Sequence, residues 1–245
     1  MGKADLHLHT TFSDGAATIG EALETVARRG TLDVIAITDH DTSAGAELAK
    51  QLVARHRYPF EVIAGAEITS REGHIVGLFL RENVARGLSA AATIAAIHAQ
   101  GGLAFAAHPF FHDRPLRRRR AMGSVGVLAG ALPFDAIEAD NGTPFLGWAN
   151  RRARRFAAAR ALTAIGASDA HIAAAIGKSH TIFPGTTAAD LRRAIVAGET
   201  QVGTLAYTPR ELAAYFRFWC GYGRAPRGQD GELATLLNTG RAIGE

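Results

Sequence analysis

Short apolar runs alternate with stretches of helical periodicity from Ala4 to Ala167. The runs Ala4–Leu8, Val34–Thr38, Val62–Ile68, His74–Leu80, Leu103–Ala107, Ala136–Ala139 and Leu162–Ala167 read as strands. They are continuous rather than alternating, the pattern of strands buried on both faces. Helices are expected at Thr18–Arg29, Ser43–Arg55, Ala90–Ala99 and Pro144–Ala161. Strand followed by helix, repeated, predicts an α/β fold with a parallel sheet and helices outside it. About seven such strands would close a barrel. Only Val62–Ile68 and His74–Leu80 are joined by a short turn.

After His171 the pattern loosens. Thr181–Phe183 reads as a short strand, and Thr187–Ala197 as a helix capped by Thr186 or Thr187 and closed by Gly198. Pro209–Cys220 reads as a helix with Pro209 at its first position. The stretch 221–245 is Gly-rich and polar, with a short helix expected at Leu233–Leu237. There is no internal repeat and no linker long enough to set off a second domain.

Composition narrows the class. Of 245 residues, 47% are hydrophobic and 20% charged, which excludes global disorder. Lys and Arg number 27 against 23 Asp and Glu; the net charge of +4 favours anionic ligands only mildly. The single cysteine, Cys220, allows no intramolecular disulfide and agrees with a reducing compartment. The first ten residues lack a signal-peptide pattern, and Leu6 stands where a myristoylation motif needs a hydroxyl. No apolar stretch is long enough to span a bilayer. The expectation is a soluble cytoplasmic protein with no membrane partner and an oligomeric state the sequence leaves open.

Chemistry collects at the strand ends. His7 and His9 close the first strand, with Asp14 just beyond; Asp39 and His40 close the second, and Glu67 the third. His74 opens the next strand, His108 ends another, and Asp169 and His171 follow the last. Each piece alone has an ordinary explanation: Asp39 or Asp41 as a helix cap, Ala107-His108-Pro109 as a turn. His40 is kept as the ligand of its group, and Asp41 or Thr42 as the cap of the following helix. Recurrence at the end of a parallel barrel where active sites are built is what points to a site. Six imidazoles and three carboxylates exceed the needs of one ion and imply two or three, with manganese, zinc or iron suited to this mixed donor set.

Segments Asp5–Thr10, Ser13–Gly15, Ile37–Asp41, Gly65–Glu67, His74–Gly77, Ala107–Pro109 and Ser168–His171 resemble, in order, the motifs of the PHP (polymerase and histidinol phosphatase) superfamily. Gly177–Thr200 is similar to the segment that accompanies that domain. The resemblance implies a distorted seven-stranded β/α (TIM-like) barrel at 1–172, an associated segment at 173–221 packed on it, and a tail at 222–245. It implies a trinuclear metal site: His7, His9, Glu67 and Asp169 for one ion; Glu67, His74 and His108 for a second; Asp14, His40 and His171 for a third. It also implies hydrolysis of a phosphate ester, with Asp14, Glu67 and His171 as catalytic candidates.

The substrate stays open at this point. The leading expectation is a small phosphomonoester, with nucleotides as one class. Alternatives are an exonuclease for short DNA or RNA ends, a histidinol-phosphate-type phosphatase, and a non-catalytic regulatory module that binds metal. Basic residues following His108, namely His112, Arg114, Arg117 and Arg118, are candidates for phosphate binding, with Lys178 a weaker one.

Overall fold

The structure, a computed structural model, describes residues 1–111 and 123–221. Its strands are β1 (Gly2–Asp5), β2 (Val34–Ile37), β3 (Glu61–Thr69), β4 (His74–Leu78), β5 (Leu103–Ala106), β6 (Ala136–Asn141), β7 (Ala164–Ala167), β8 (Ser179–Phe183) and β9 (Gln201–Thr204). Its helices are α1 (Ile19–Arg29), α2 (Ala44–His56), α3 (Ala90–Ala99), α4 (Gly147–Arg160), α5 (Ala188–Ala197) and α6 (Pro209–Trp219). The expected short helix at Leu233–Leu237 and the basic stretch after His108 lie outside the described residues.

The strands form one nine-stranded sheet in the order β7-β6-β5-β4-β3-β2-β1-β8-β9. It curls into a nearly closed barrel. Beyond β7, Ala170 bridges Leu8 in parallel, and His9 N–H donates to the Ala170 carbonyl at 2.9 Å. Thr181 of β8 donates its hydroxyl to the Gly166 carbonyl of β7 at 2.8 Å. Gly166 permits this approach: a Cβ there would lie 2.6 Å from the His180 carbonyl oxygen.

Two corrections to the sequence reading follow. The sheet is mixed, and among the described residues it has nine strands: the seven expected of the barrel, the one expected at Thr181–Phe183, and β9. β4 runs antiparallel to both β3 and β5 because four residues leave room only for a hairpin return, whereas a parallel return needs a long crossover. β8 is antiparallel to β1, and β9 to β8. β9, with the sequence Gln-Val-Gly-Thr, is a short edge strand carrying too little apolar pattern to be read in advance.

Inward and outward positions alternate along the strands. Ala4, Val34, Ala36, Ile63, Val76, Phe105 and Ile165 share the barrel interior, with Leu191 and Ile195 of α5 packed against them. Ile35 and Ile37 point the other way, onto Leu23 and Val26 of α1 and Ala49 and Leu52 of α2. Helix starts follow local chemistry. Thr18 and Thr187 each close a capping box, with Glu21 and Asp190 respectively. α4 begins at Gly147, later than expected, because Phe145 adopts φ 70°, incompatible with a right-handed helix.

Candidate metal centre

Glu67, near the end of β3, is the hub. Its carboxylate is buried, yet Oε1 lies 2.9 Å from both His74 Nδ1 and His108 Nε2. Oε2 lies 3.3 Å from His7 Nε2, 3.3 Å from His9 Nε2 and 3.1 Å from His40 Nδ1. The hairpin explains His74. Thr69 pairs with His74, so the start of β4 sits at the sheet end where the neighbouring parallel strands finish. Antiparallel direction thus delivers a side chain to the same face as the others.

His7, His9, Glu67 and Asp169 form one compact group. His7 Nε2 and His9 Nε2 are 3.1 Å apart, and Asp169 Oδ1 lies 3.2 Å from His9 Nε2 and 3.6 Å from His7 Nε2. Tetrahedral ligands about 2.0–2.1 Å from a zinc-sized ion stand about 3.3–3.4 Å apart. The measured edges bracket that spacing. A second observation agrees. His74 Nδ1 is buried without a hydrogen-bond partner although Glu67 Oε1 is 2.9 Å away. The two atoms are close but not aligned as donor and acceptor, as expected of two ligands aimed at a common point. The residues therefore fit divalent ions.

A third grouping surrounds Asp14. Its Oδ1 lies 3.4 Å from His171 Nε2 and 3.6 Å from His9 Nδ1, and its Oδ2 lies 3.7 Å from His40 Nε2. His9 thus turns one ring nitrogen to each of two groups, and His40 does the same between Asp14 and Glu67. The Asp14 side chain is 37% exposed, so the cluster opens to solvent on this side. All nine strand-end residues singled out in the sequence are brought together.

Electrostatics tie the groups to one another. Burial opposes charge on Glu67, but His7, His74, His108 and His40 outweigh it and hold the carboxyl well below its usual range. Burial likewise works against a proton on His9, but bonds to Asp169 and Glu67 push its pKa up to about 10. His40 goes the other way, to about 4, through burial and the neighbouring His9 and His74. Backbone strain marks the same place: His108 has φ 27° and Asp169 φ 50°, both left-handed without being glycine.

Residues outside the sequence reading complete the site. Glu138 of β6 is fully buried, with Oε1 3.1 Å from His7 Nδ1. Its Oε2 accepts from the His108 backbone N–H at 2.5 Å and from Asn141 Nδ2 at 3.1 Å. Asn141 also donates to Asp169 Oδ2 at 3.0 Å. A signal existed: the run Glu138-Ala139-Asp140-Asn141 places polar side chains inside a strand that is buried throughout. Asp39, set aside as a cap, instead accepts from Thr10 N–H at 2.7 Å and Ser13 Oγ at 2.6 Å, fixing the loop that carries Asp14.

Other expectations are corrected. Asp41 does not cap α2; its carboxylate accepts from Thr69 N–H at 2.7 Å. Thr42 Oγ1 accepts from Ala44 N–H at 3.2 Å, but Ser43 is the residue at the cap position. Lys178 is engaged within the fold. Its buried ammonium donates to Glu211 at 2.7 Å and to the Ala206 carbonyl at 3.0 Å, joining β8 to α6. His112, Arg114, Arg117 and Arg118 fall outside the described residues.

With this geometry in place, comparison with known proteins is decisive about kinship. The PHP domain model matches residues 5–117, and the PHP-associated model matches residues 147–200. An uncharacterised protein of Methanocaldococcus jannaschii is 40% identical over 119 residues, covering 44% of this chain and 68% of that one. The chain belongs to the PHP family. Other PHP-related matches carry names of activities. The phosphoribosyl 1,2-cyclic phosphate 1,2-diphosphodiesterase of Eggerthella lenta is 39% identical over 84 residues, which are 32% of this chain and 31% of the relative. The 5'-3' exoribonuclease Rnm of Escherichia coli is 44% identical over 78 residues, 30% of this chain and 26% of the relative. The chain thus matches only about a third or less of these two enzymes. A two-domain Bacteroides vulgatus protein containing a PHP-like phosphoesterase shares the fold, with TM-score 0.66 and 20% identity over 88% of this chain and 69% of that one. Among the described residues, no helix is long and apolar enough to cross a membrane.

Proposed function

We propose that this PHP protein is a metal-dependent phosphoric ester hydrolase acting on a small phosphomonoester, with nucleotides as one class. The observation that carries the reading is the convergence of six imidazoles with Glu67, Asp14 and Asp169 in overlapping groups. His7, His9, Glu67 and Asp169 would hold one ion; Glu67, His74 and His108 a second; Asp14, His40 and His171 a third. Imidazole with carboxylate suits manganese, zinc or iron. When bound, such ions supply a water activated near neutral pH and neutralise charge on the phosphoryl oxygens.

The chain's own residues do the rest. Glu138 holds a proton on His7 Nδ1, which leaves Nε2 free as a ligand. Asn141 fixes the orientation of Asp169. The departing alkoxide needs a proton or an ion, and Asp14 and His171, on the open side, would answer that need by holding the third ion. His112, Arg114, Arg117 and Arg118 are the candidates for holding the phosphate. The functional unit is residues 1–172 with the associated segment 173–221. The test is turnover by metal-loaded protein of nucleoside mono- and bisphosphates, sugar phosphates and an aryl phosphate. Absence of turnover above an Asp169→Asn control with manganese, zinc or iron would reject the reading.

The match to an exoribonuclease supports a second reading, removal of terminal nucleotides from short oligomers. It requires stepwise release of mononucleotides from an end-labelled strand.

A further inference from the structure

Phe145 is an anomaly. It is a bulky residue with φ 70°, and 80% of it faces solvent. Left-handed backbone is unfavourable for such a side chain, and an exposed ring gains nothing from burial. Two costs at one residue, unrelieved by packing in the core, point to a ligand.

Its surroundings identify where that ligand sits. Phe145 lies in the loop between β6 and α4, at the sheet end that carries the metal centre. The loop is anchored to that centre: Asn141 donates to Asp169 Oδ2, and Thr143 N–H donates to Asn141 Oδ1 at 2.9 Å. The Tyr207 hydroxyl donates to the Gly142 carbonyl at 2.8 Å. On the opposite side, α6 sets Phe218 with its ring 5.9 Å from that of His171. The next residue, Trp219, is 46% exposed, and its ring centroid is 6.3 Å from Phe145 with the planes at 44°. Tyr215 backs Trp219 edge-on at 5.2 Å. Two exposed aromatic rings thus stand together, carried by a loop and a helix that each also reach the metal centre, through Asn141 on Asp169 and Phe218 on His171.

We infer that Phe145 and Trp219 form a stacking floor for the nucleobase of the substrate, whose phosphate would reach the metal centre. This rests on the phosphoesterase reading and narrows it to nucleotides. The geometry specifies a floor rather than a slot. A base sandwiched between two rings needs about 7 Å or more, twice the contact distance between carbons, and the centroids are closer than that. One face of the base would stay open, so stacking would tolerate different bases.

The experiment uses metal-loaded protein carrying Trp148→Phe, so that Trp219 is the sole tryptophan. Titration with adenosine, which has no phosphate to lose, should quench Trp219 emission saturably. Phe145→Ala should weaken that binding about 5- to 150-fold, the range for one stacked base, and Phe145→Tyr should restore it. In parallel, Phe145→Ala and Trp219→Ala should lower the preference for adenosine 5'-monophosphate over ribose 5-phosphate by a similar factor. A loss of preference seen with the mononucleotide assigns the floor to free nucleotides; one seen only with a 5'-phosphorylated oligoadenylate assigns it to the end of a strand. Absence of saturable quenching, or an unchanged preference in both variants, overturns the inference. So does a concentration-dependent dimer that Phe145→Ala abolishes without changing the preference. Hydrolysis of ribose 5-phosphate reads the phosphoesterase activity separately, so the two failures are distinguishable.

Discussion

Glu138 Oε1 stands 3.1 Å from His7 Nδ1, with both side chains fully buried. The same carboxylate accepts from the His108 backbone and from Asn141 through its other oxygen. Glu138 therefore needs two accepting atoms. In Glu138→Gln, if the amide oxygen keeps the bonds to His108 and Asn141, the NH2 group faces His7 Nδ1. The proton of His7 is then driven to Nε2, the nitrogen turned toward His9 and Glu67. Metal affinity should fall about 10- to 100-fold, the usual cost of disturbing a partner behind a ligand. Calorimetric titration with manganese or zinc checks this; unchanged affinity would remove Glu138 from the site.

Glu67 should be more sensitive than Glu138. Five imidazoles lie within 3.3 Å of its two oxygens. Glu67→Gln keeps the shape, removes the charge and turns one end into a donor facing ring nitrogens. Turnover should drop by more than the roughly 100-fold upper range of outer-partner changes, and fewer ions should be bound. Metal content by mass spectrometry of the native protein is the direct readout.

Protons and ions compete for the same atoms. His9, with its pKa raised from 6.5 to about 10, carries a proton at neutral pH in the metal-free protein. Its contribution to stability is complete below about pH 6.5 and is lost as pH rises through about 10. Glu67, lowered from 4.5, contributes above that value and loses its contribution as acid protonates it in the fold. His40, lowered from 6.5 to about 4, withdraws stability as pH falls below about 6.5, so metal-free protein should melt highest near pH 6.5 and less well in acid and in alkali, by thermal scan. Metal must displace the His9 proton, so affinity should rise with pH and binding should release protons. His40, lowered to about 4, has none to release at neutral pH. Calorimetry in buffers of different ionisation enthalpy counts the protons; none released would contradict the assignment.

Lys178 serves structure. Its side chain is 9% exposed, paired with Glu211 and placed 5.0 Å over the Tyr207 ring. Lys178→Met should cost about 1–3 kcal/mol by removing the bonds of its ammonium to Glu211 and to the Ala206 carbonyl. Melting should fall by about 2–4 °C per kcal/mol for a chain of this size. A tenfold rise in KM without a fall in melting temperature would return Lys178 to the substrate.

Much of this was legible in the chain itself. Strand ends were marked by abrupt changes from apolar residue to His, Asp or Glu, and their recurrence let the six histidines and three carboxylates be picked out together. Thr187 and Asp190 announced the start of α5 because a capping box is a local contact. Glu138 was not picked out, because an acidic residue in a strand declares its role only when its partner is known, and His7 is distant in sequence. Phe145 escaped for a related reason: Pro144 looks like a helix start, and a left-handed backbone at a phenylalanine has no sequence signature.

The sequence by itself determined the local order of elements and the ligand types, since apolar periodicity, capping and residue chemistry act over a few positions. Tertiary structure alone decided the direction of β4, which turns His74 onto the common face, and the closing of the sheet beside β8. It also decided that Glu67 lies at the centre of five imidazoles. These are long-range pairings, fixed by hairpin geometry, backbone hydrogen bonding and packing across the barrel, and no short window of sequence encodes them.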